Sequence, residues 1–321
     1  MYPQEQKYGS YYCIVFGRDG NRSIRKVLDS LLSQTVMPGK IIVIDDGSTD
    51  GMYETVQEYG RKNPGMITVH ETNNKTRDYT RLPLLWNMGL LDGYDFHMIV
   101  PSDASFVTEY AERMLQELAQ NPNLVIVSGD WGPMKAQAPH GGGRFVRQSF
   151  FWKHYPQGYP RILGYESEIL ERAILNKNEI KVLNDVEIFH HDALGHSHNF
   201  KEFGYGMKSL GYYPPYVFGR FVMDFVRNKS MGKKGALKML WYYLLFRPEK
   251  DGYYSMFPAD VRSAIRERQK KYINSLARRA VRKLLRRHRS GLAIQKVTAP
   301  ATKSSGFSIV RGETVRSADR N

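Results

Sequence analysis

The sequence predicts an α/β fold, a doubly wound mixed sheet followed by a basic helical extension, and three observations predict it. Short apolar runs alternate with helix-period segments from Tyr11 to about Gly129. Two of those runs end at carboxylates, Ile44-Asp45-Asp46 and Val100-Pro101-Ser102-Asp103. The excess positive charge is confined to the last third of the chain. Strands alternating with helices at this spacing give a mostly parallel sheet, and ligands of such sheets bind beyond the carboxyl ends of the strands.

Taken in order, Tyr11 to Phe16 reads as a first strand, and Ser23 to Gln34 as a helix with Ile24, Val27, Leu28, Leu31 and Leu32 on one face. Lys40 to Ile44, Met66 to His70, Phe96 to Val100 and Leu124 to Ser128 read as further strands. Between them, Met52 to Asn63, Arg81 to Leu91 and Glu109 to Gln120 read as helices. From Trp131 to Gly164 the pattern breaks into glycine, proline and aromatic residues, including Gly141-Gly142-Gly143-Arg144, which predicts a loop region over the site. Glu166 to Asn176 and Phe200 to Leu210 return to helical periodicity, with a strand-like run from Ile180 to His190 between them.

The 321 residues suffice for a sizeable core. The single cysteine, Cys13, excludes an intrachain disulfide and fits a reducing compartment. Residues 1–10 lack the apolar centre of a signal peptide, and no stretch approaches the roughly 18 to 20 apolar residues that cross a bilayer. We therefore expect a cytoplasmic protein. Of the net +15, residues 231–321 carry +16, with 22 Lys+Arg against 6 Asp+Glu, and residues 1–230 carry −1. A near-neutral body with a basic appendage fits a catalytic unit with an electrostatic anchor better than a nucleic-acid binder.

The chemistry concentrates at the strand ends. In Ile41 to Gly51 a buried strand ends in Asp45 and Asp46, then a turn glycine and a Ser-Thr-Asp run able to cap the next helix. An acid there can accept hydrogen bonds from ribose hydroxyls or a base N–H. Asp103 ends the Met98 to Val100 strand; Glu166 and Glu168 open a helix, where acids also suit the helix dipole. His190 and His191 close a strand-like run, with His196 and His198 beyond, at a spacing that is no recognised zinc pattern.

These motifs, in this order, resemble the family 2 glycosyltransferases over roughly residues 11 to 220: Ser30 to Thr35, Ile44 to Gly51, Asp103, Gly164 to Arg172, and the His190 region. The resemblance implies a Rossmann-like GT-A fold and inverting transfer of sugar from a nucleotide-diphosphate donor. It implies donor contacts from Phe16, Asp45 and Asp46 on the nucleoside side. Asn87, Ser102 and Asp103 would be further donor-binding residues, and Arg81 or Arg77 would supply positive charge near the diphosphate. It implies a divalent cation, Mn²⁺ or Mg²⁺, on Asp103 and His190, and a catalytic base at Glu166 with Glu168 in reserve. The chain departs from the family pattern at Phe16 to Asp19, at Pro101 where the first acid of D-x-D stands, at Tyr165, and at Trp86 where an arginine is usual. Those departures keep a degenerate sugar-nucleotide binder as the alternative. A nucleic-acid binder using the Arg-rich helix and a nucleotidyltransferase are weaker ones, since Tyr11 to Asn21 has no glycine-rich phosphate loop.

Beyond residue 230 an aromatic apolar run, Leu237 to Phe246, and a basic amphipathic stretch, Asn274 to Arg289, predict a membrane-associating segment over 231–297. Trp241, Leu244, Leu245, Arg278, Arg282 and Arg286 are its expected membrane-facing residues, and 298–321 is expected to be a disordered tail. The expected partners are a nucleotide-diphosphate sugar, a glycan or lipid-linked acceptor and an anionic membrane surface, with the protein peripheral at the inner face of the cell membrane.

Overall fold

A computed structural model describes residues 8–76, 78–131, 135–191, 200–227 and 232–297, the side chains of 79, 280 and 283–297 excepted. The described residues form an eight-stranded mixed sheet in the order β3-β2-β1-β4-β7-β6-β8-β5. Its strands are β1 (Tyr11–Gly17), β2 (Lys40–Asp45), β3 (Ile67–Glu71), β4 (Phe96–Pro101), β5 (Ala104–Phe106), β6 (Leu124–Asp130), β7 (Arg144–Arg147) and β8 (Glu179–His190). The first four run parallel, β7 is antiparallel to both β4 and β6, and β8 runs parallel to β6 and antiparallel to β5.

Both faces of the sheet are covered, which is why its central strands are continuous apolar runs. Cys13 and Val15 point to the layer of α1 (Asn21–Leu32), α2 (Met52–Lys62) and α4 (Tyr110–Gln120). Tyr12 and Ile14 point to the layer of α3 (Leu82–Met88), α5 (Gln148–His154) and α6 (Tyr165–Leu175). The two-residue period of a strand makes this sorting automatic. Cys13 is fully buried, and burial pushes its thiol far up from its ordinary value.

Sequence reading placed the principal strands and helices to within a few residues, but it read 131–164 as loop. Within that stretch the chain instead forms β7, at the middle of the sheet, and α5. β7 hides from pattern reading because it is four residues long and two are arginines. The Arg147 guanidinium reaches the carbonyl oxygens of Leu124, Leu118 and Asn121, and that of Arg144 reaches His140, so each charged head is satisfied by main chain.

The chain continues through α7 (Phe200–Ser209), α8 (Pro214–Arg227), α9 (Gly232–Leu245) and α10 (Ala259–Val297). Contacts divide it into one unit ending at Lys271 and a second from Tyr272 onward. Residue 230 lies within the first of these units. Met239 and Tyr243 of α9 are buried with Met207 and Val217, while Val261 and Ile265 of α10 are buried with Leu210 and Phe257. In the second unit, Leu276, Val281, Arg278 and Arg282 are exposed. Arg286 has no described side chain, and residues 298–321 lie outside the described residues. No helix among the described residues is long and apolar enough to cross a membrane.

Candidate functional site

The chain leaves β1 toward β2 and β3 on one side and returns to β4 on the other, so β1 and β4 flank the point where strand order reverses. Crevices at such points bind ligands. Register brings the strand ends level there, with Gly17 opposite Asp45 and Phe16 opposite both Ile44 and Pro101. Asp45 is fully buried; one carboxylate oxygen accepts the Ser48 N–H at 2.7 Å, and the other, Oδ2, has no partner among the described residues. The turn after it is fixed by Gly47, at φ +75°, where a Cβ would strike the Asn74 carbonyl oxygen. Asp50 accepts the Met52 N–H at 3.1 Å, while the N-cap of α2 is Gly51, in the left-handed region.

Asp46 and Asn87 are held by bonds within the fold. Asp46 is buried and saturated by a fork of bonds from Arg81 (2.9 to 3.2 Å), the Thr72 hydroxyl (2.7 Å) and the Asn74 amide (2.8 Å). Asn87 spends both ends of its amide on the Tyr159 main chain. Arg81 forms an ion pair with Asp46 at 2.9 Å. Arg77 lies outside the described residues. Arg18, which sequence reading passed over, ties this turn together by donating to the carbonyls of Asp46 and Asn74 at 3.0 Å. Phe16 packs edge-on against Trp86, which is buried among Tyr159 and Tyr165 as a core aromatic.

Ser102 and Asp103 follow β4. The Ser102 N–H bonds the Phe16 carbonyl and its own carbonyl accepts the Ser23 hydroxyl, which anchors the turn. The short strand β5, unseen in the sequence, then pairs Ala104 with His190, so the Asp103 carboxylate and His190 Nδ1 come to 3.5 Å. Neither is fully buried, and the ring of Trp131 lies 4.2 Å from that of His190, centre to centre. His191 instead bonds the Ser105 hydroxyl; His196 and His198 lie outside the described residues.

Glycine joins this pair to Glu166. A Cβ on Gly141 would collide with the Glu166 carboxylate, and one on Gly142 would sit 3.0 Å from Pro101 and 3.9 Å from the His190 ring. Only a run without side chains passes between them, and it leads into Arg144, which is buried and has no carboxylate partner among the described residues. Arg144 donates to the Glu166 carbonyl at 3.4 Å. Glu166 is exposed in the first turn of α6. Glu168 is the opposite case. It is buried, bonded by the Tyr155 hydroxyl at 2.5 Å and by Arg172 at 3.0 Å, and burial holds its carboxyl above the usual range against those bonds. Both Glu168 oxygens are engaged by these partners.

No group of three or more His, Cys, Asp or Glu side chains able to hold a metal ion occurs among the described residues. Asp103 and His190 suit a cation whose other ligands come from diphosphate oxygens and water, the habit of Mg²⁺ and Mn²⁺.

Residues 14–81 match the family described as glycosyl transferase family 2. Over 104 residues the chain is 29% identical to EpsH of Bacillus subtilis (strain 168), named as a glycosyltransferase; the match covers 32% of this chain and 28% of that protein. In fold the chain is similar to the mannosyltransferase PcManGT from Pyrobaculum calidifontis, solved with GDP-Man and Mn²⁺, at TM-score 0.52 and 15% identity over 90% of this chain and 84% of that one. It is also similar to GalNAc-T7 solved with UDP, GalNAc and Mn²⁺, at TM-score 0.52 and 10% identity over 75% and 57%. Residues 14–81, which hold Asp45 and Arg81, are thus similar to the family 2 glycosyltransferases, and the chain shares the GT-A fold of solved glycosyltransferases.

Proposed function

We propose that the protein is an inverting glycosyltransferase that moves a sugar from a nucleotide-diphosphate donor to a hydroxyl of a glycan or lipid-linked acceptor at the cytoplasmic face of a membrane. The observation that carries the donor reading is the buried, unpartnered Oδ2 of Asp45 at the switch point of the sheet. A buried acceptor without a donor is costly, and a ribose hydroxyl or base N–H would satisfy it.

Asp103 and His190 would hold the cation, which would neutralise charge on the diphosphate as the sugar departs. Glu166, bracketed by Gly141 and the α6 N-terminus, would take the proton of the acceptor hydroxyl. The acceptor oxygen then bonds to the anomeric carbon while the bond from that carbon to the diphosphate breaks, giving the inverted glycoside and a nucleoside diphosphate. Membrane association is supported by exposed apolar side chains on two packed helices, Phe218 and Val226 on α8 and Trp241 and Leu244 on α9, each at least 59% exposed.

Titration calorimetry with UDP- and GDP-sugars tests the donor half, and turnover tests the base. Glu166→Gln should keep donor affinity and lose about 10²- to 10⁴-fold in turnover, whereas Asp103→Ala should lose the Mn²⁺-dependent part of donor binding. Unchanged turnover in the first, or unchanged Mn²⁺ dependence in the second, removes that residue from the mechanism.

A further inference from the structure

Beside Glu166 lies a cavity of about 140 Å³ that the donor site does not use, lined by Asp78, Thr80, Leu163, Lys201, Glu202, Tyr253 and Tyr254. Four parts of the chain build it: the turn before α3, Leu163 ahead of α6, the first turn of α7, and the segment between α9 and α10, whose Tyr253 carbonyl accepts the Leu163 N–H at 3.1 Å. Leu163 precedes the helix that carries Glu166, and the Glu166 charge acts on the Glu202 carboxyl of the cavity wall.

Its polar lining is unevenly committed. Both Asp78 oxygens are bonded by Thr80, at 2.9 Å to its N–H and 2.6 Å to its hydroxyl. The Lys201 ammonium lies 5.0 Å from the centre of the Tyr254 ring and bonds its hydroxyl. Two atoms on the wall, Glu202 Oε1 and the Tyr253 hydroxyl, are shielded from solvent and have no hydrogen-bond partner among the described residues. Burial, then the charges of Glu166 and Asp78, push the Glu202 carboxyl up to about 7, so at neutral pH it can donate or accept. Burial, then the charges of Glu202 and Asp78, raises Tyr253, which stays a protonated donor.

We propose that this cavity is a subsite for one sugar ring of the acceptor, in which Glu202 and Tyr253 bind ring hydroxyls and so present the reacting hydroxyl to Glu166. Size fits, since the volume is on the order of ten water-sized volumes, room for a single ring with its substituents. Charge fits as well: two carboxyl groups against one ammonium disfavour a phosphate or nucleotide and suit a neutral polyol. Tyrosine rings present apolar faces to the C–H faces of a sugar while their hydroxyls bond its oxygens. The assignment rests on Glu166 being the base.

The test is saturation-transfer NMR with the methyl glycosides of glucose, galactose, mannose and N-acetylglucosamine, at millimolar concentration, with UDP and GDP titrated in parallel. At least one glycoside should bind the wild-type protein. Glu202→Gln and Tyr253→Phe should each weaken it about tenfold, with nucleotide affinity and thermal midpoint unchanged. If Glu202→Gln does not fold, Tyr253→Phe, which removes a single oxygen, decides alone. No glycoside binding by wild-type protein that does bind a nucleotide, or equal glycoside affinity in the variants, overturns the subsite. Glycoside binding without any nucleotide binding overturns the donor reading and leaves the subsite standing.

Discussion

Glu168 and Glu166 are two residues apart and lie in opposite surroundings, because about half a turn of helix separates a buried hydrogen-bonded slot from an exposed face. Removing the Glu168 charge leaves Arg172 with Asp260 alone, an exposed partner. Breaking a buried pair from one side is costly, so Glu168→Gln should lower stability in urea unfolding by about 3 kcal/mol while donor affinity is kept. A variant of full stability that has lost turnover would exchange the roles of the two glutamates. The positions of Asp45, Asp103 and His190 were legible in the sequence because Asp45 and His190 end strands and Asp103 lies two residues past one, and strand ends show in the apolar pattern. Asp46 and Asn87 were not, since their partners lie 35 and 72 residues away and only the fold reveals that they are taken. Nor was Glu202, whose significance depends on Tyr253 reaching it from another segment.

At the scale of elements, α8 and α9 share a property that neither shows alone. Phe218, Val222, Met223 and Val226 on α8, with Leu237, Trp241, Leu244 and Leu245 on α9, are exposed large apolar residues on helices packed against each other. Lys233, Lys234 and Lys238 lie on α9 among them. Trp241 and its neighbours were picked out from the sequence; the contribution of α8 was not, because no helix was read there. Replacing Phe218, Val226 and Trp241 together by serine should abolish the salt-resistant part of co-sedimentation with anionic vesicles and leave nucleotide binding unchanged. Unaltered sedimentation in high salt would remove this face from membrane contact. The elements that escaped pattern reading, β5, β7, α5 and α8, include the two shortest strands, whose three and four residues are too few for a period to show.

For the whole molecule, the position of the unit boundary decides which part can be removed. Residues 272–321 carry 12 Lys+Arg against 2 Asp+Glu, and the unit before them closes on its own buried clusters. A chain ending at Lys271 should unfold cooperatively near the full-length midpoint and bind donor equally. It should lose most of its salt-sensitive attraction to anionic vesicles, to which each basic residue adds about 1 kcal/mol. A chain ending at residue 230 discards Met239, Tyr243, Val261 and Ile265 from their clusters and should aggregate or melt early. Equal behaviour of the two truncations in thermal melts would show that those clusters contribute nothing. The lone thiol gives this body one more property. Cys13 lies in β1, flanked by β2 and β4 and covered by a helical layer, with its sulfur 3.8 Å from that of Met98. An alkylating reagent can reach it only when the middle of the sheet opens, so the chain carries an internal clock whose ticking is the breathing of its central strand.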